Sequence, residues 1–351
     1  MSAITDFLYS VLTWINGIVN NYGISIIIFT TLIRLVCMPF DYRSRKGMRK
    51  MSLIQPKLNE LQKKYANDRE KLQRKQSELM RKEGYNPLSG CLPMLLTWPL
   101  MIAMFAAMRA IANEQMAVQV FRYLAGEEHV ITAADSFLWV KNIWITDSLF
   151  KSIAPTADNL RMLTADVWQK ALAQFESNPA ALAAIEASLK NAVEGAALDF
   201  SSNAAMQTTV ASIDAALKTM PAYNAAIATV PGWSGMNFFL FSISLYQNYN
   251  GLLILPILAG LSQVLSAKFN PQMQEQATGQ PSGQQNSMGN FMKYFFPILS
   301  VWFCLTSNAG FAVYWVTSTC VMWLQGVLIN KMLEKQDEKK AQSVSGEGTV
   351  K

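Results

Sequence analysis

Arg34 sits inside an otherwise apolar stretch, Gly23 to Phe40 (GISIIIFTTLIRLVCMPF), and constrains the fold more than any other residue. At about 1.5 Å per helical residue, the stretch rises roughly 27 Å, enough to cross the hydrocarbon core of a bilayer. Arg34 lies roughly 9 Å inside the nearer end of that span. A guanidinium there costs at least ~2.5 kcal/mol unless it snorkels or faces a water-filled space. Snorkelling is the plainer alternative, but the basic cluster beyond the span begins only at Arg43. Arg34 is thus deeper than a boundary anchor needs to be, and a polar cavity within the membrane is expected.

Composition fits a membrane protein with sizeable aqueous parts: 51% hydrophobic residues, 19 Met and 9 Trp, but a mean hydropathy of only +0.15. Further apolar runs at Cys91–Ala112, Leu252–Ala267, Phe291–Thr306 and Gly310–Ile329 raise the expected spans to five. Pro93, Pro99, Pro256 and Pro297 interrupt them, which is tolerated where protein or water satisfies the freed carbonyl. The charges Arg109 and Lys293 lie near span ends, where anchoring explains them. Cys37, Cys91, Cys304 and Cys320 all fall in spans and read as small apolar fillers, with neither disulfide nor metal spacing. The lone His129 has no partner arrangement for ligation or catalysis. No cofactor and no metal are expected.

Charge sets the orientation. From Arg43 to Lys82 there are 14 Lys/Arg against four Asp/Glu, whereas Asn113–Gln247 holds seven Lys/Arg against 12 Asp/Glu. By the positive-inside tendency the first stretch is cytoplasmic. With five spans the N-terminus is then outside and the C-terminus, with its Lys-rich tail, inside. The net charge of +6 is a topological signal and asks for no nucleic acid.

The start, MSAITDFLYSVLTWINGIVN, lacks Lys and Arg and so does not read as a secretory signal. Its apolar residues recur every three or four positions, as in an amphipathic helix on the outer interface, with Trp14 as an anchor. Asn16, Asn20 and Asn21, with Gly17 and Gly23, separate it from the first span.

Between the first two spans Met51, Ile54, Leu58, Leu61 and Tyr65 follow the three–four spacing of a coiled-coil seam. Tyr65–Asp68 makes a turn, Asn67 and Glu70 fit N-cap and N3 positions, and Gly84 fits C′. A basic helical hairpin results, able to touch lipid headgroups or a large anionic partner such as a ribosome. Within Asn113–Gln247 the Ala-rich part Pro155–Pro231 reads as a small helical insert. Asp158 and Thr164 suit helix caps there, and Pro179, Pro221 and Pro231 suit helix starts or stops. Its carboxylates are scattered and Ser201-Ser202 lacks a base, so a spacer or lid is expected, burying little apolar area. The polar Lys268–Asn290 segment reads as flexible, and Ser307–Gly310 as a minimal turn between the last two spans.

The expected fold is all-α: a multi-pass, five-transmembrane-helix bundle with a cytoplasmic helical hairpin and an outside helical insert. Its parts are an outer interfacial helix (1–22), spans at 23–40, 91–112, 248–267, 291–306 and 310–331, the hairpin (41–90), the insert (113–247), a flexible cytoplasmic loop (268–290) and a cytoplasmic tail (332–351).

IQPKLNELQKKYANDREKLQRKQSELMRKEGYNPLSGCLPMLLTWPLM resembles the cytoplasmic hairpin and second core span of the YidC/Oxa/Alb membrane insertases. QPK, NPLSGCLP and Pro99 are the specific elements. YGISIIIFTTLIRLVCMPF, LLILPILAGLSQVLS and FFPILSVWFCLTSNAGFAVYWVTS add to the match, which covers 1–112 and roughly 248–332. The resemblance implies an insertase and chaperone of the bacterial cell membrane that helps fold integral membrane proteins without hydrolysing nucleotides. It implies a hydrophilic groove open to cytoplasm and lipid, with Arg34 as the groove arginine and Thr30 contacting substrate one turn earlier. Tyr314 and Trp315 match an early aromatic pair of the last span. The family's frequent glutamine near the end of the third span is Ser266 here, with Gln263 standing in one turn before. Nascent membrane proteins, lipids, the ribosome and the Sec translocon are the implied partners. The outer insert departs from the family, as does the lack of a large periplasmic domain or lipoprotein-type signal.

The rival class is a small-anion channel or transporter using Arg34. It predicts internal repeats with paired broken helices, and Gly23–Phe40 has no second copy. A membrane peptidase is disfavoured because the spans hold no nucleophile–base or metal-ligand set.

Overall fold

A computed structural model describes residues 3–84, 87–238, 241–269 and 287–347. Most of the flexible loop expected at 268–290 lies outside these residues, as do the side chains around NPLSGCLP, Cys91 included. The described residues are mostly helical, and the chain divides into two compact units. One comprises Met1–Phe29, Ala103–Ala259 and Val301–Trp315; the other Thr30–Ile102, Gly260–Ser300 and Val316–Lys351.

In the first unit, α1 (Ala3–Val19) buries Leu8, Leu12 and Ile15 and exposes Ile4, Phe7, Trp14 and Ile18. The asparagines expected to break the run build the turn. Asn20 takes a left-handed φ of 52°, and Asn21 Oδ1 accepts from the Ile24 amide at 3.1 Å to cap α2 (Tyr22–Lys64). The amide nitrogen of Asn21 donates to the carbonyls of Ala133 and Ser136.

Helix α4 (Pro87–Leu124), which follows α3 (Arg69–Lys82), continues well past the expected end of the second span. Its C-terminal part carries the Ala-rich segment, built from α5 (Ala157–Leu160), α6 (Ala165–Ala173), α7 (Pro179–Ala192), α8 (Asn203–Thr219) and α9 (Pro221–Ile227). The caps are Thr156, Thr164, Asn178 and Ser202, with Pro179 and Pro221 at the first helical turn. Asp158 falls inside α5; Asn159 instead accepts from the Thr156 amide and hydroxyl.

The expectation of little buried apolar area is overturned. Phe121 of α4 meets Trp168 and Phe175 edge-on at 5.5 and 5.8 Å, and Trp168 stacks on Phe200. Ile185, Leu189, Ile213, Leu217 and Tyr223 complete a core. Four aromatic side chains supply area that alanines alone do not. Tyr123 and Tyr223 pack edge-on at 5.4 Å, and Tyr223 donates its hydroxyl to the Pro155 carbonyl at 2.9 Å. Burial pushes the Tyr123 phenol up to about 12, so it stays neutral at physiological pH. A short antiparallel hairpin, β1 (Met236–Phe238) with β2 (Phe241–Ile243), is the sheet element among the described residues of an otherwise helical chain.

The second unit contains most of α2, which runs unbroken through Pro39 and Pro56 for about 65 Å. Span and first hairpin arm are therefore one helix. The turn follows at Tyr65–Asp68, and α3 returns. Its N-cap is Asp68, not Asn67, because the Asp68 carboxylate reaches the Lys71 amide at 3.0 Å. Gly84 has φ +63° just after the C-cap, the left-handed C′ geometry that glycine tolerates. Ile54 and Leu58 are buried, but α3 buries no residue. A Lys57–Glu83 ion pair at 2.7 Å clips its far end.

The remaining helices among the described residues are α10 (Ile254–Phe269), α11 (Ser287–Thr306) and α12 (Ala309–Glu347). Among the described residues two stretches are long and apolar enough to cross a membrane, Tyr22–Gly47 and Ala309–Lys339. Ala3–Val19, Ile254–Ser266 and Tyr294–Thr306 are shorter apolar helices. In the first unit the α11–α12 turn is sealed by the irregular 143–146 segment: Ala309 and Gly310 donate to the carbonyls of Ile145 and Ile143, and Thr146 donates to the Ser307 carbonyl.

Candidate functional site

Arg34 stands where the Gly23–Phe40 boundaries place it. Helix α2 runs on to Lys64, but Asp41, Arg43, Arg45 and Lys46 follow Phe40 directly, so the apolar stretch ends six residues after Arg34. Thr30 is one turn earlier, and both side chains are buried, Arg34 at 7% exposure. The chain buries them because the neighbouring positions Ile28, Leu32, Leu35 and Val36 take the exposed faces of α2.

Helix α12 supplies the partners. Ser318 Oγ accepts from Arg34 Nε at 2.9 Å and also from Nη2. Seven residues on, and so on the same face, Gln325 donates from Nε2 to the Arg34 carbonyl at 2.8 Å. Gln325 Oε1 is buried and has no partner among the described residues. Arg34 itself forms no ion pair among the described residues. A guanidinium carries five N–H donors and no acceptor. Here two of its nitrogens share one neutral hydroxyl. Buried cations are usually paired; the carboxylate whose charge bears on Arg34 is Asp41, seven residues on along the same helix.

Ser266, Ser300 and Thr319 are buried in the same unit. Gln263 is half-buried on α10 and reaches Thr319 Oγ1 at 3.4 Å, a long contact. Thr30, Arg34 and Gln263 therefore share one unit, with Gln263 tied to α12 beside Ser318. Tyr314 and Trp315 belong to the other unit, at the end of a ring cluster: Phe311 lies 5.9 Å from Tyr314 and 5.6 Å from Trp315. Phe303 lies 6.2 Å from Trp315, and Phe105 packs edge-on against Phe311. Tyr314 is buried and Trp315 half-buried.

Ser318 and Gln325 are the residues that reading the sequence missed. Their signal is two polar side chains seven apart in an apolar helix, which marks one face without naming its partner. Met104 and Met108 of α4 are fully buried core residues. Cys304 is buried, Cys37 half-buried and Cys320 exposed, all as free thiols.

Residues 14–192 and 217–337 match the 60Kd inner membrane protein family. The chain belongs to that family. The match reaches into the Ala-rich segment as far as residue 192 and resumes within α8. Among relatives, the Membrane protein insertase YidC of Pelodictyon phaeoclathratiforme is 40% identical over 140 residues, which is 40% of this chain and 21% of that protein. The protein of the same name from Chlorobium limicola is 40% identical over 139 residues, again 40% of this chain and 21% of the relative. That of Anaeromyxobacter dehalogenans is 36% identical over 140 residues, 40% of this chain and 22% of the relative. The chain thus matches about a fifth of the length of these curated relatives.

Proposed function

We propose that this chain is a membrane protein insertase and chaperone that works without nucleotide hydrolysis. Arg34 carries the reading: a buried cation inside an apolar stretch, hydrogen-bonded to one neutral hydroxyl. Family membership and the names of the relatives support it.

In this reading five spans form the core, the N-terminus lies outside and the C-terminus in the cytoplasm, and the Ala-rich segment lies outside. Thr30, Arg34 and Gln263 line a hydrophilic groove open to cytoplasm and lipid. Tyr314 and Trp315 contact the substrate's apolar part. Arg34 draws acidic residues of a translocated tail part-way into the membrane. The tail exchanges the Ser318 hydroxyl for a carboxylate, a stronger, charge-assisted partner. Short apolar helices such as Ile254–Ser266 favour a locally thin bilayer and a lower crossing barrier. Transfer of the substrate's own apolar helix into lipid drives the step. Nascent membrane proteins, lipids, the ribosome and the Sec translocon are the proposed partners, the ribosome through the basic hairpin of α2 and α3.

Photo-crosslinkers at Thr30 and Trp315 test this on ribosome-bound chains of a single-span substrate with an acidic tail. Adducts at both positions, and none at Ser201, are expected. Absence of adducts at both, together with chloride flux in proteoliposomes that Arg34→Ala abolishes, would instead favour the anion channel.

A further inference from the structure

A two-residue turn in the first unit displays an apolar side chain at a cost to the backbone. Phe137 and Val140 exchange both backbone hydrogen bonds at 2.9 Å around Leu138 and Trp139. Leu138 has φ +54°, and it alone of the two loop residues is left-handed. Hairpin turns of type II′ reserve that position for glycine. Yet the residue is leucine, and it is 73% exposed. Neither the strain nor the exposure helps the fold, and an outlier of this kind points to a use outside it.

The flanks of the turn are fixed. Trp139 Nε1 donates to Asp147 at 3.1 Å, and Val140 is buried. The Phe137 ring lies so close to Gly23 that a Cβ there would sit 2.2 Å from it. The Tyr22 amide donates to the Ala134 carbonyl at 3.0 Å. The turn is thereby held level with the first residues of the apolar helix Tyr22–Gly47, where Ile24 and Ile28 are exposed. Lys141, three residues on, is exposed, with its ammonium 4.9 Å above the Tyr249 ring. An apolar tip followed by a cation at a span's end has the chemistry of the headgroup boundary, acyl-chain ends below and phosphates above.

We propose that the Leu138 turn is a membrane anchor. It inserts Leu138 among the acyl-chain ends at the Tyr22 end of the span, with Lys141 at the lipid phosphates, and so pins the 113–247 segment to the bilayer surface. This rests on the reading that Tyr22–Gly47 crosses the membrane.

The test uses full-length protein with Cys37, Cys91, Cys304 and Cys320 replaced by Ala. Single cysteines at Leu138, Val36 or Ser201 carry an environment-sensitive fluorophore in phosphatidylcholine–phosphatidylglycerol vesicles. Val36 should be quenched by deep lipid spin labels, Ser201 by aqueous iodide, and Leu138 by shallow spin labels while shielded from iodide. Iodide quenching at Leu138 equal to that at Ser201, with Val36 still quenched from the lipid, overturns the anchor alone. Loss of lipid quenching at Val36 overturns the spanning reading and the anchor with it. In a parallel measurement Leu138→Gly relieves the backbone strain, so a purely structural role predicts unchanged or higher thermal stability and unchanged proteolysis. The anchor predicts several-fold faster cleavage within 113–247 in vesicles and no change in detergent; equal rates in vesicles contradict it.

Discussion

The molecule buries two polar constellations of opposite character. In one unit Asn250 accepts from the Asn142 amide at 2.7 Å and donates to the carbonyls of Asn142, Ile145 and Thr146. Asn142 in turn donates to Gln119 and to the Ile153 carbonyl, both at 2.8 Å. Asp147, fully buried, accepts from Trp139 and from the Leu253 and Leu255 amides, so its charge sits at the N-terminus of α10. In the other unit Arg34 has the Ser318 hydroxyl, and Gln325 leaves an oxygen unmet among the described residues. The first set is closed on itself and holds the 135–155 segment in shape. The second, proposed above as the substrate site, leaves an oxygen unmet among the described residues. Burial of polar groups is common to both; how fully they are satisfied tells structure from function.

That contrast can be broken by mutation. Asn250→Ala should have the largest effect. It strands buried carbonyls and an amide, each costing about 1–3 kcal/mol, so loss of about 3 kcal/mol or more is expected, read as a large drop in unfolding temperature in detergent. Gly251→Ala should fail similarly, because its Cβ would lie 2.0 Å from Asp147 Oδ1. Normal stability in either variant would show that the closed network is dispensable.

Arg34→Ala should invert the pattern. Arg34 makes no direct ion pair among the described residues and Asp41 bears on it only at longer range, so its removal should change stability by no more than about 1 kcal/mol. Substrate engagement should weaken by about 1.5–3 kcal/mol, the worth of a hydrogen bond to a charged group, or roughly 10- to 100-fold. Arg34→Lys should retain part of the activity as a point charge. Equal unfolding temperatures and lost complementation of an insertase-depleted strain are the readouts. On insertion the smallest effect is expected from Ser318→Ala, which strands two guanidinium donors at about 1–3 kcal/mol of stability with insertion retained. An Ser318→Ala phenotype as severe as Arg34→Ala would mean that the hydroxyl is itself a substrate contact.

Arg34 was legible in the sequence because a charge within an apolar run has few explanations. Its partners were not. Ser318 and Gln325 lie 284 and 291 residues away, and their spacing marks a face of α12 without saying what lies opposite. The closed network was hidden for the same reason, since Asn142 and Asn250 meet across 108 residues. Local signals fared better: the 65–68 turn and Gly84 stand where expected, and the cap slipped by one residue to Asp68. The Ala-rich segment was underestimated because Phe121 and Trp168, which build its core, lie on different helices.

The central claim is that Arg34 is left under-satisfied so that it can meet an acidic segment of the substrate. Insertion into proteoliposomes measures this directly, comparing wild type and Arg34→Ala with two forms of one single-span substrate, its translocated tail carrying Asp residues or the same residues as Asn. The account predicts that Arg34→Ala loses insertion of the Asp form at least tenfold, as one charge-assisted hydrogen bond implies at about 1.4 kcal/mol per decade, and leaves the Asn form within about twofold. Equal loss for both forms, or no loss for either, would contradict it.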